Sequence, residues 1–406
     1  MNGEVKIRVQ EKKINAKKMK EHNMSLILNT LRRNESTTRR ELARETGLTA
    51  GAITIIINEL QEMGYIVEKG IGFSAGGRRP TILSLKPDAA YAIGVELTTQ
   101  QITCVLGDFT AAIQKHAAIP IDVAWGYKRI IDLMAHAIDK LILASGISKD
   151  KIQGIGLAIP GPSDYKQGIT INPPNFPDWV NVHIKEILEH RTGLKVYASK
   201  ETSCAALAEY WFGSALGTKR IFAIHIDEIG IGGAFVLDGD IYQSSAKETM
   251  NIGHTIVKTD GQSCACGSKG CLEAQASGAA AIRYALEYAR QHPDCATKVY
   301  AGMSFLDLAA GVARGDLPCI EAVEKCSYYI SVALRNIIML LAPEKIYYVG
   351  GFVDRCPMLM DKVIEYIDRQ QYPDSSRVIP IMPCKFGKES GAVGALALVF
   401  SMLFED

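Results

Sequence analysis

Between His254 and Cys271 the chain reads HTIVKTDGQSCACGSKGC, a spacing of H-x9-C-x-C-x4-C. One imidazole and three thiolates make the four-ligand set of a closed, tetrahedral structural zinc site. His254, Cys264, Cys266 and Cys271 are therefore the candidate metal ligands. A closed set leaves no open position for a reacting water, so the metal is expected to hold structure and not to catalyse. A Cys264–Cys266 disulfide or free thiols are the competing readings. The fourth ligand argues against both. So do the other seven cysteines, which are scattered through a chain with no apolar leader, as expected of reduced, cytoplasmic thiols. Gly261, Gly267 and Gly270 would let the backbone wrap around an ion.

The 406 residues, 48% hydrophobic and 22% charged, suggest two or three soluble domains. No run of eighteen apolar residues predicts a membrane span. The net charge of +1 is unevenly spread: residues 1–90 hold 16 Lys/Arg against 10 Asp/Glu, and the remainder 29 against 34. That asymmetry suits a basic module that meets a polyanion; a solvated basic tail is the alternative.

The helical periodicities of the basic segment are specific. Met24, Ile27, Leu28 and Leu31 share one helix face. Thr38 and Glu41 form a capping-box start, Gly47 a stop, and Thr49 the cap of a further helix buried through Ile53, Ile56, Ile57 and Leu60. With the strands YIVEKG and PTILSLKP this makes a winged helix-turn-helix, a fold that binds double-stranded DNA; a three-helix interaction module is the alternative. Arg39, Arg40 and Arg44, with Lys17, Lys18 and Lys20 ahead of the first helix, are placed to meet phosphates. Arg78 and Arg79 suit a minor-groove arm. Thr49 starts a recognition helix whose outward residues are Ala50, Gly51, Thr54, Ile55 and Asn58. With no Arg or Lys there to read guanine, Thr54, Asn58 and Ile55 predict AT-leaning readout.

From Tyr91 short apolar strands alternate with amphipathic helices, an α/β pattern. A hairpin-rich unit occurs near residue 91 and again near 221, so duplication about a cleft is expected. Helices are expected near 128–145, 182–192, 201–213, 272–291, 318–341, 357–369 and 388–404.

The stretches GIGLAIPGPSD, NPPNFPDW, IGIGGAFVLDG, IGHTIVKTDGQSCACGSKGCLEAQASG, YYVGG and GAVGALAL, in that order, resemble the ROK family of repressors, open-reading-frame proteins and sugar kinases. The winged segment ending in GGRRPTILSL is similar to the repressor branch, whose members respond to xylose, N-acetylglucosamine or glucose. The resemblance implies a two-lobed actin-like ATPase fold (ribonuclease H-like, duplicated), with a sugar site in the cleft. It implies domains 1–86 (winged helix), 87–200 with 385–406 (first lobe), and 201–384 (second lobe, with the zinc motif and an oligomerisation surface). It also implies a homodimer or tetramer. It puts Asn175, Lys200, Glu201, Asn251, His254 and Glu273 at sugar-contacting positions. His254 is then expected to serve both zinc and sugar.

Several of those positions depart from the kinase pattern. Where the resembled kinases carry D-x-G-G-T-K, this chain has Glu96 to Gln101, with Thr98 and Thr99 replacing glycines. Glu228 and Ile229 open the second glycine turn, and Phe352 follows Gly350 and Gly351 in the third. Lys200 and Glu201 stand where the catalytic Asn-Asp pair is expected, and Asn251 replaces a glutamate. Read alone, Glu201 also fits a carboxylate at a helix start and Lys200 a solvent-facing lysine. The expectation is a non-enzymatic, DNA-binding repressor of carbohydrate genes with a sugar-sensing cleft. The alternatives are a carbohydrate kinase with a fused DNA-binding domain, and a regulator whose vestigial cleft answers to a protein. The added charges of Lys200 and Asn251 predict an anionic effector.

Overall fold

The computed structural model describes residues 16–71, 79–173, 175–215, 217–242, 250–295, 299–369 and 378–404. Two compact units divide the chain: Met1–Ala89 with Ser401–Asp406, and Ala90–Phe400. The extreme C-terminus thus groups with the N-terminal unit, where the sequence had assigned it to the first lobe.

In the first unit the helices are α1 (Ala16–Asn34), α2 (Arg39–Thr46) and α3 (Ala50–Glu62). The strands are β1 (Thr37–Thr38), β2 (Ile66–Ile71) and β3 (Thr81–Leu85), in the order β1-β3-β2. Met24, Ile27, Leu28, Leu31, Ile53, Ile56, Ile57 and Leu60 are all buried, as their periodicity requires. The Thr38 side chain accepts from the Glu41 amide, the Glu41 side chain accepts from Thr38, and Gly47 closes α2 in the left-handed conformation. Thr49 caps α3 by accepting from the Ala52 amide.

The larger unit holds two five-stranded sheets. The first is built from β4 (Tyr91–Leu97), β5 (Gln101–Asp108), β6 (Ile113–Pro120), β7 (Ile152–Ile159) and β10 (Val196–Lys200), in the order β10-β7-β4-β5-β6. A small pair, β8 (Ser163–Asp164) and β9 (Ile169–Thr170), and the helices α4 (Gly126–Ser145) and α5 (Ile184–Thr192) accompany it. Helix α6 (Glu201–Phe212) leads to the second sheet: β11 (Arg220–Ile226), β12 (Ile231–Leu237), β13 (Asp240–Ile241), β14 (Lys345–Val349) and β15 (Ile381–Pro383). Its order is β13-β12-β11-β14-β15. In both sheets the first strand pairs antiparallel with a hairpin partner and parallel with a later strand. The topology is therefore repeated, which is the duplication the sequence pattern implied.

Helices α7 (Leu272–Ala276), α8 (Gly278–Gln291), α9 (Phe305–Arg314), α10 (Leu317–Leu341), α11 (Gly351–Arg355), α12 (Met358–Arg369) and α13 (Ser390–Ser401) complete the unit. The helix expected over 272–291 is two helices. Ser277 breaks it, extended at φ −72, ψ 168, and its hydroxyl accepts the Ala280 amide as a new N-cap. Helix α9 and the exposed edge strand β6 were not expected from the sequence. Helix α13 lies directly on backbone. A Cβ on Gly156 of β7 would stand 1.8 Å from the Ala395 oxygen, and one on Gly394 1.6 Å from the Cys204 oxygen of α6. The strand-to-helix approach of α13 thus depends on missing side chains.

Candidate metal centre, cleft and nucleic-acid interface

The metal motif is a loop folded by its own backbone. The Cys264 amide donates to the Ser268 carbonyl at 2.8 Å, and the Gly267 amide returns to Cys264 at 3.0 Å. Gly270 has φ 74, and a Cβ there would meet the Lys258 oxygen at 1.6 Å, so only glycine fits. Its amide and carbonyl bond Gln262 and Val257, which brings Cys271 back beside Ile256. The ligand atoms of His254, Cys264, Cys266 and Cys271 all lie within 4.8 Å of one another. Cys264 Sγ is 3.7 Å from His254 Nδ1, and Cys266 Sγ is 3.6 Å from Cys271 Sγ. Metal–sulfur bonds of about 2.3 Å in a tetrahedron put the sulfurs about 3.8 Å apart, with a sulfur–nitrogen edge slightly shorter. The cluster therefore fits a tetrahedral ion. The nine cysteines with described side chains are free thiols, so the disulfide reading is set aside.

Two residues past Cys271, Glu273 sits in the first turn of α7. Its Oε2 accepts the Ile231 amide at 3.2 Å, at the glycine turn between β11 and β12. Burial pushes the Glu273 carboxyl up, while the Ile231 amide, His254 and Lys200 draw it down. Lys200, the last residue of β10, lies against the same turn: its Nζ would be 3.5 Å from a Cβ on Gly232. Asn251 and His254 share one helical turn, the His254 amide donating to the Asn251 carbonyl at 3.0 Å. The structure thus gathers Lys200, Asn251, His254 and Glu273 around the second glycine turn. Asn175 stands on a separate turn after β9, half-buried near the core ring Trp179.

Sequence reasoning placed Glu201 and Glu273 in this cleft and missed two further acids, Glu96 and Asp227. Glu96, the residue before the last of the otherwise apolar strand β4, is buried. Desolvation pushes its carboxyl up to about 8, helped by Glu201 and Asp227 and opposed by the Ala392 amide. Glu201 is half-buried, and its Oε2 is buried with no hydrogen-bond partner. An isolated carboxylate in an apolar run was the available signal for Glu96.

In the first unit Ala50, Gly51, Thr54, Ile55 and Asn58 all face solvent, with Ile55 67% exposed. Thr49 Oγ1 is used as the cap, and Thr54 Oγ1 donates to the Ala50 carbonyl at 2.8 Å. Arg39 does not stand free for phosphate. It donates to Gln61 Oε1 at 3.2 Å and Asn58 Oδ1 at 3.5 Å, and pairs with Glu68 at 3.7 Å. Arg40 and Arg44 are exposed, and Arg44 lies 3.6 Å from Glu45. Lys17, Lys18 and Lys20 lie inside α1, not ahead of it, and Lys20 pairs with Glu59 of α3 at 2.6 Å. Arg79 is exposed; Arg78 lies outside the described residues.

The chain thus consists of a winged helix-turn-helix unit followed by a duplicated α/β body that carries a Cys/His loop. The profile of the ROK family matches residues 92–401, and that of winged helix-turn-helix DNA-binding domains residues 22–67. The chain belongs to the ROK family. It is 24% identical to the xylose repressor of Caldicellulosiruptor bescii, covering 94% of this chain and 96% of the relative. The crystal structure of a ROK family transcriptional regulator, a homolog of the E. coli MLC protein, superposes with TM-score 0.76 at 23% identity, over 95% of this chain and 96% of that one. The glucokinase of Thermotoga maritima is 29% identical over 60% of this chain and 78% of its own length. Among the described residues no helix is long and apolar enough to cross a membrane.

Proposed function

We infer that this chain is a DNA-binding transcriptional repressor of sugar-metabolism genes, and that its cleft senses a sugar without phosphorylating it. One observation carries the reading: a DNA-binding unit is joined to a ROK body in which Lys200 and Glu201 stand at the catalytic pair. A phosphoryl-transfer site needs a base placed on the attacking hydroxyl and turns open to phosphate. Here an ammonium lies against the glycine turn instead. The full-length likeness to the C. bescii xylose repressor supports the same reading.

Zn²⁺ is the ion the donor set suits, with His254, Cys264, Cys266 and Cys271 holding it as a closed structural site. His254 Nδ1, the ring nitrogen 3.7 Å from Cys264 Sγ, would hold the ion, which would leave Nε2 to donate to a sugar hydroxyl. Glu273, Asn251, Glu201 and Asn175 supply acceptors and donors for the remaining hydroxyls. The anionic effector expected from Lys200 is replaced by a neutral sugar. Lys200 shares the cleft with Glu273, Glu201 and Asp227, so it is a counter-ion within an acidic site. A phosphate or sugar acid would meet those carboxylates.

DNA contact runs through Arg40, Arg44, Thr54, Asn58, Arg78 and Arg79, with Thr49 and Arg39 fixing the helix that reads the bases. One recognition helix reads few base pairs, so the working form is a homodimer or a dimer of dimers on paired half-sites. Such a repressor works in the cytoplasm, with the DNA. The test is release of the full chain from its own promoter DNA by a panel of neutral sugars, sugar phosphates and sugar acids, with ATP turnover measured alongside. A neutral sugar is expected to release it. ATP-dependent phosphorylation of that sugar would return the protein to the kinases.

A further inference from the structure

Glycine turns and helix N-termini bind phosphate because their backbone amides have no partner within the chain. In this cleft several of those amides are already taken. At the turn after β4, Thr98 Oγ1 accepts the Gln100 amide at 3.3 Å and the Gln101 amide at 3.1 Å. At the start of α8 the Gly278 amide donates to the Asp227 carbonyl at 3.2 Å and the Ala279 amide to the Glu228 carbonyl at 2.7 Å. Ser277 Oγ accepts the next amide, that of Ala280. At the turn after β14, the Gly351 amide donates to Asp227 Oδ1 at 2.9 Å.

Asp227 is the residue common to two of these places. It follows β11, and its backbone and side chain together join the β11–β12 turn to α8 and to Gly351. A Cβ on Gly351 would stand 2.5 Å from Oδ1, so the carboxylate lies on the backbone itself. His225 Nε2 lies 3.6 Å from Oδ2, beyond hydrogen-bond distance, and Arg355 Nη1 donates to the Gly351 carbonyl at 3.3 Å on the same turn. The charge of Asp227 also reaches Glu96, whose carboxyl it raises.

We propose that Asp227 is a specificity-determining residue: a built-in anion that occupies the Gly351 amide and excludes polyphosphate ligands, nucleotides included, from the cleft. Two effects act together. The amide that would hold a phosphate oxygen is filled, and the carboxylate that fills it sets a negative charge against the positive charge of Arg355 at the same turn. Thr98 fills the opposite turn in the same way without adding charge. The outcome is a cleft whose ligand is selected by hydroxyl groups alone. The proposal rests on the reading of the cleft as a non-catalytic sensor and supplies the physical means by which nucleotide is kept out.

The two effects separate by substitution. Asp227→Asn keeps an oxygen acceptor for Gly351 and removes the charge. Asp227→Ala removes both. Calorimetric titration of the full, metal-loaded chain with MgATP, and separately with tripolyphosphate, is expected to show no saturable binding for the wild type. Asp227→Asn is expected to gain binding and Asp227→Ala to bind at least about tenfold tighter than Asp227→Asn, about 1.4 kcal/mol. Wild-type protein that binds MgATP as tightly as the variants would overturn the proposal. So would folded variants, with metal content intact, that gain no binding to either probe. Should Asp227→Ala fail to fold, Asp227→Asn decides alone: gain supports the charge effect, and no gain refutes it. Sugar-driven release from promoter DNA, run on the same proteins, keeps the two readings apart. Loss of release with the binding order intact would remove the sensor function and leave nucleotide exclusion standing.

Discussion

Glu273 Oε2 accepts the amide of Ile231 at 3.2 Å, two residues beyond the metal-cluster cysteine Cys271. One short helix therefore joins the Cys/His loop to the glycine turn of the cleft. Whatever fixes Cys271 fixes the Glu273 carboxylate at that turn.

Removing the metal should loosen the sugar site without unfolding either sheet. Protein purified without chelator is expected to carry about one zinc per chain. Cys266→Ser should lose it and bind the effector sugar about 10- to 100-fold more weakly, the usual scale for residues that support a metal site. Elemental analysis and titration calorimetry read the two quantities. A full complement of sugar affinity in metal-free protein would separate the loop from the cleft.

Arg39 should matter for which sequence is bound more than for how tightly. It holds Asn58 and Gln61 of the recognition helix from α2. Arg39→Ala should relax base preference at one position of each half-site by about 1–3 kcal/mol and leave the salt slope nearly unchanged. Arg44→Ala, at an exposed arginine, should weaken all sequences alike and lower the slope by about one. Binding selection at several salt concentrations compares them. Equal slope changes in both variants would place Arg39 on a phosphate.

The winged unit was the most legible part of the chain because its signals are local. A cap, a stop and a buried stripe each lie within one helix, and Thr38, Gly47 and Ile53 all do in the structure what their types imply. The metal cluster was legible because four ligands occur close together in sequence. Two of the cleft acids were not. Glu96 and Asp227 come together with Glu201 only when two sheets close around α6 and α13, and no spacing in the sequence records that. Helix α9 had local signals, a capping box of Ser304 with Asp307 and a stop at Gly315, that were overlooked; the break at Ser277 was missed for a reason related to that of the acids. The turn at Ser277 is held by Gly278, whose Cβ position is filled by Phe305 and Glu228 from distant segments.

The capping box of α2 should be worth a measurable part of the winged unit's stability. Thr38→Ala removes the hydroxyl that accepts the Glu41 amide and donates to the Glu41 carboxylate, and keeps the return bond from the residue-38 amide to Glu41. A loss of about 1 kcal/mol is expected, seen as a lower denaturation midpoint. Thr38→Ser should restore most of it. No change in the alanine variant would show that tertiary packing alone holds the helix start.

The buried acid Glu96 gives the larger unit a pH dependence of definite sign. An ordinary glutamate titrates near 4.5, and burial beside Glu201 and Asp227 raises this one to about 8. Between those two values the folded chain holds a proton at Glu96 that the unfolded chain has released. Stability rises with pH only where the unfolded state binds more protons, so here it must fall as pH rises. The loss begins above about pH 4.5 and is complete once pH passes about 8, where the folded protein must carry an ionised, desolvated carboxylate. Glu96→Gln keeps the shape and cannot ionise, so it should flatten this part of the profile and be the more stable protein above pH 8. Thermal midpoints of both proteins between pH 5 and pH 9, with metal content held constant, make the comparison. Parallel curves would mean that Glu96 is ionised throughout and that its neighbours, or water, compensate it.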